Sequence, residues 1–124
     1  MEKAEDKAIA ASEDAMTTSE NAAAKNSEAA IYSNIAAANE AISKVPAPQL
    51  SNNEAKSLYT KLGKTIVDRI NVKTAKEAMD KEHAIMEIKN DSADKLQVGK
   101  ITQTDFNNIL KYLADCMAAA ASTS

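Results

Sequence analysis

Three side chains of one stretch could together do metal chemistry: Asp80, His83 and Glu87, at i, i+3 and i+7 of a helical pattern. Carboxylate–histidine triplets of this kind bind divalent metals in helical bundles, but dinuclear bundle sites repeat the Glu-x-x-His element on a second helix. This chain has one His. The simpler reading is a solvated face with i,i+4 pairs such as Lys76–Asp80 and His83–Glu87. A second candidate runs from Asp94 to Asp105. Asp94, Gly99, Ile101 and Asp105 stand where a calcium loop wants its first acid, its glycine, its aliphatic and its last acid. Leu96 and Val98 occupy two ligand positions, however, and cannot ligate Ca²⁺. A glycine helix stop followed by a helix start gives the same pattern, so no metal or cofactor is expected.

Nucleophilic chemistry fares no better. Cys116 is the only cysteine, which excludes an intrachain disulfide and a cysteine-based metal site. Its apolar setting with Leu113 and Met117 suits a small buried hydrophobe. No glycine-rich phosphate loop, CxxC or Ser-His-Asp set can be assembled. The chain is expected to be no enzyme.

The elements that hold these residues are helical throughout. Among 124 residues there are two Gly, two Pro, three Tyr, one Phe and no Trp. Residues about 3–44 read as one helix, rich in Ala and free of Gly and Pro. Ala8, Ala15, Ala22, Ala29 and Ala36 recur every seven residues, beside Ile9, Met16, Ala23 and Ala30, with Ile31 next to the ridge. Seven residues make two helical turns, so the two rows share one stripe. Its composition over Ser19–Ala30 resembles the helical stalks of phage tail fibres, a likeness that assigns no family.

Val45-Pro46-Ala47-Pro48 ends that helix, because two prolines remove two donors and hold the chain extended. Ser51 or Asn52 then reads as an N-cap. Leu58, Leu62, Ile66 and Ile70 follow at a four-residue step, with Tyr59 and Val67 beside them. Gly63 inside this pattern suggests close helix packing. Val72, Met79, Met86 and Ala93 resume a seven-residue step, with Ala75, Ala78, Ile85 and Leu96 alongside, so residues about 52–96 read as one long helix, with a kink allowed near 71. Gly99 suits a left-handed stop, and Thr102 with Asp105 resembles a capping box. A last helix over about 103–121 presents Phe106, Ile109, Leu110, Leu113, Met117 and Ala120 on one face.

These elements predict a single all-α domain over residues 1–124: a long antiparallel helical hairpin, joined by a Pro linker at 45–51, plus a shorter third helix. The architecture is a coiled-coil-like three-helix bundle. Ala contributes little burial per residue, so the first helix needs a partner. Residues 1–44 hold eight acids against four Lys, within a chain of net charge −3. No basic patch with interleaved aromatics marks a nucleic-acid site. The expected function is protein–protein association with copies of itself or with a partner helix, through Ala8, Ile9, Ala15, Met16, Ala22, Ala23, Ala29, Ala30, Ile31 and Ala36. This suits a structural component of a secretion, phage or filament assembly. A small monomeric binder, inhibitor or exported effector is the alternative, and an amphipathic surface coat a weaker one, membrane contact not being expected. No cleavable signal peptide or membrane span is legible, which places synthesis in the cytoplasm and leaves export without a cleaved signal open.

Overall fold

The computed structural model describes residues 31–123, which form four α-helices and, among the described residues, no strand. They are α1 (Ile35–Ser43), α2 (Asn53–Ile70), α3 (Ala75–Gln97) and α4 (Gln103–Ala121). No helix among them is long and apolar enough to cross a membrane.

Two helix boundaries differ from the expectation, and each has a cap behind it. The Ala-rich helix expected over 3–44 is interrupted where it can be seen. Residues 31–34 are not helical, and Asn34 caps α1 by accepting from the Ala37 N–H at 3.0 Å. A short polar side chain satisfies a free helix-end donor there, which the Ala run alone does not reveal. The expected helix over 52–96 is two helices. Asn71 ends α2, its N–H donating to the carbonyls of Val67 and Asp68 and its own amide to Val67 O at 2.7 Å. Thr74 starts α3 by accepting from the Glu77 N–H at 3.1 Å, while Glu77 reaches back to the Lys73 N–H at 3.2 Å. Thr74-x-x-Glu77 is a capping-box pattern, and it turns a kink into a full reversal.

That reversal changes which helices are neighbours. The most extensive contact is between α2 and α3, followed by α1 with α4 and α2 with α4. The helical hairpin is therefore made from the two halves of the expected second helix. The last helix, expected over the second half of that element, lies mainly on α1 and α2 instead. Reciprocal amide bonds between Asn39 and Asn71, 3.0 and 3.1 Å, tie α1 to the reversal.

One core runs through the layers. Ala38 and Ile42 from α1, Leu58, Leu62, Ile66 and Ile70 from α2, and Ile85 from α3 are buried. They meet Phe106, Ile109, Leu110, Leu113, Met117 and Ala120 of α4. On α3 the buried seven-residue row is Ala78, Ile85 and Ser92, one position before the row expected. Met79, Met86 and Ala93 are exposed instead, and so is Val67 on α2.

The two glycines separate on inspection. Gly99 adopts φ 78°, the left-handed region, and follows the end of α3. Gly63 has nothing within 4 Å of where a Cβ would stand, so close packing does not explain it. Gly63→Ala is expected to stabilise the fold by about 0.5–1 kcal/mol through helix propensity. Gly99→Ala is expected to destabilise it by about 1–2 kcal/mol through backbone strain. Urea unfolding of both variants checks the opposite signs.

Candidate functional site

The calcium-like stretch resolves into a helix stop and a helix start. Gly99 N–H donates to Leu96 O at 3.1 Å and Lys100 N–H to Lys95 O at 2.8 Å, the paired bonds of a Schellman end. Thr102 then accepts from the Asp105 N–H at 3.1 Å and opens α4. Asp105 does not complete the capping box. Its carboxylate is buried and turned to the chain before α2, accepting from Ser51 N–H at 3.0 Å and Ser51 Oγ at 2.7 Å. Asn52 is the cap of α2, accepting from the Ala55 N–H at 2.8 Å, and its amide donates to Lys100 O. The loops at 50–52 and 99–102 are thus stitched together by side chains.

Asp80, His83 and Glu87 stand exposed along α3. Among the described residues no group of three or more His, Cys, Asp or Glu is placed to hold a metal ion. Cys116 is free and fully buried. Burial pushes its thiol up from 9.0, against a smaller opposing pull from its hydrogen bond with Tyr112. A thiol held protonated is a poor nucleophile. Tyr112 packs edge-on against Tyr59, ring centres 5.1 Å apart, and its phenol is also pushed up, chiefly by burial.

The sequence reading overlooked Arg69. Its guanidinium is buried, with Nε donating to Glu82 Oε1 at 2.7 Å and Cζ 5.5 Å from the Tyr32 ring centre. Nη1 is buried with no hydrogen-bond partner. Tyr32 itself is buried, which raises its phenol above 10.0, opposed by the Arg69 charge. An arginine one residue from a helix's apolar end is easily mistaken for surface; only the returning α3 shows that it is enclosed.

A shallow groove of about 250 Å³ runs between the Pro linker and α4, lined by Pro46, Pro48, Asn108, Lys111, Tyr112 and Asp115 among others. Its charges are already spent on each other, Lys111 Nζ lying 2.7 Å from Asp115 Oδ2. Asn108 donates to Gln49 O at 2.9 Å and pins the linker. The groove has no free charge to bind a substrate and reads as the seam where the linker lies on α4.

Of the expected interface, Ala8, Ile9, Ala15, Met16, Ala22, Ala23, Ala29 and Ala30 lie outside the described residues. Ile31 is half-buried and Ala36 is exposed. Comparison with protein families, curated proteins and solved structures found no match.

Three measurements check these assignments. Asp105→Ala is expected to cost about 1–3 kcal/mol, because it strands two donors of Ser51; denaturant unfolding reads it. The raised Tyr32, Tyr112 and Cys116 groups bind protons more tightly folded than unfolded. Their contribution is whole below about pH 9 and lost as pH rises through the folded values. The melting temperature should fall above pH 9, and a thiol reagent at pH 8 should label Cys116 only as fast as the protein opens.

Proposed function

We propose that this chain acts by protein–protein association and performs no catalysis. The observation that supports the reading most is the place of Ala36. On α1, Ala38 and Ile42 are buried, while Ala36 is exposed. Ala36, the last position of the expected ridge, therefore lies outside the core, and the non-helical residues 31–34 separate it from the earlier positions. Among the described residues the core draws on side chains from Tyr32 onward, and in this reading the alanine ridge meets another helix. Small side chains let a partner backbone approach closely, and such a ridge gains most of its stability from that partner.

The partner in this reading is another copy of the chain, in a bundle or filament. Sedimentation velocity over a wide concentration range, with circular dichroism on the same samples, tests it. Mass and helicity are expected to rise together. Ile9→Asp with Met16→Asp should remove the ridge-mediated association and leave α2–α4 folded; unchanged mass in that variant at high salt would sink the reading. A mass independent of concentration with full helicity points to a monomeric binder, using the exposed Lys73, Lys76 and Asp80 with Lys81.

A further inference from the structure

Four large apolar side chains are exposed among the described residues: Val67, Met79, Met86 and Val98. Two of them belong to an ordered pattern. Met79, His83, Met86, Asn90, Ala93 and Gln97 follow one another along α3 at steps of four and three, and all six are exposed. Alternating steps of four and three are those of a coiled-coil seam. The seam is about 27 Å long, and none of its six residues is Asp, Glu, Lys or Arg. One edge of it is acidic, because Asp80, Glu87 and Asp94 follow at the same seven-residue step and are exposed. Lys76, in the first turn, is the base beside them.

Charge decides what can cover this seam. Pairing it with itself in an antiparallel dimer sets one acidic row against another, which costs energy. Residues 1–30 carry seven acids against three Lys, so they meet the same objection. A fitting helix brings bases and small side chains, and α2 has such a face. Asn53, Ser57, Thr60, Lys64 and Val67 run along it at steps of four and three, all exposed. Lys56 and Lys61 flank them, also exposed, with Glu54 as the acid at the first turn and Asp68 beside Val67, the latter acid 3.6 Å from Lys81 Nζ. Val67 supplies the apolar knob that a Met-lined seam lacks on its own protomer.

We propose that copies of this chain associate head to tail, the α3 seam of one copy receiving the lysine face of α2 of the next. This rests on the reading that the chain self-associates, and it adds a contact separate from the alanine ridge. Such a contact uses two different surfaces, so it does not close at a dimer and builds rings or open filaments. One helix pair is smaller than a standard interface of about 1,600 Å². Each contact is weak, and growth depends on concentration and on low salt.

The test uses the full chain. Asp80→Lys with Glu87→Lys makes one variant, and Lys56→Glu with Lys64→Glu the other. All four positions are exposed, where substitutions change stability by about 0.5 kcal/mol or less, and circular dichroism confirms folding. Sedimentation velocity is run on each charge variant and on their equimolar mixture, all carrying Ile9→Asp/Met16→Asp so that the alanine ridge is silent, and on the Ile9→Asp/Met16→Asp chain alone. Head-to-tail contact predicts that neither charge variant grows alone, that the mixture does, and that the ridge variant keeps salt-sensitive growth. Continued growth of the Lys56→Glu/Lys64→Glu variant alone would mean that the seam pairs otherwise, and overturns the proposal. A mixture that stays monomeric overturns it too. Growth lost in the Ile9→Asp/Met16→Asp chain while the wild type still grows leaves the ridge reading standing and removes this one. Wild-type chain that is monomeric at every concentration removes both.

Discussion

The buried guanidinium of Arg69 holds three parts of the chain in one place. It sits at the end of α2, bonds Glu82 across the reversal into α3, and lies against the ring of Tyr32 just before α1. Taking a cation out of water is costly, and a pair like this adds little net stability over an apolar replacement. Removing one partner is a different matter, because the other stays buried and uncompensated. The arrangement therefore reads as a device of register. It admits only the geometry in which α3 returns along α2 with Glu82 level with Arg69.

The rest of the bundle follows from that reversal. Once α3 folds back on α2, α4 covers α2 beside it and also meets α3, and α1 lies on α4. The two connecting stretches are secured by side chains rather than by bulk. Asp105 holds Ser51, Asn52 holds Lys100, and Asn108 holds Gln49. Asn39 and Asn71 do the same at the other end. With little aromatic content and much alanine, the chain gains specificity from such directional bonds, which compensate for a thin core.

The same geometry decides what the surface offers. Among the described residues, the groups that could do chemistry are exposed singly, paired with each other, or buried, as Cys116 is. What remains outward among the described residues is a pair of helix faces, an acid-edged seam on α3 and a lysine face on α2, with Ala36 exposed on α1. Helix faces with matched spacing bind helices, so association is the function that this surface supports best.

The sequence by itself determined the helical class, the Pro linker, the glycine stop and the buried face of the last helix. Each of these follows from local rules: backbone limits of proline and glycine, and a 3.6-residue period on one strongly amphipathic stretch. The break at 71–74 was also legible, in Thr74-x-x-Glu77, but the seven-residue run through Val72, Met79 and Met86 spoke louder. Tertiary structure alone decided which of two adjacent rows on α3 is buried. Ala78/Ile85/Ser92 and Met79/Met86/Ala93 differ by one residue, about 100° of rotation, and composition favours the second. The choice is made by the face that α2 presents and by the Arg69–Glu82 bond, contacts between residues far apart along the chain. For the same reason no local pattern marks Asp105 as the partner of Ser51: a carboxylate near a helix start looks alike whether it closes its own cap or reaches across to another loop.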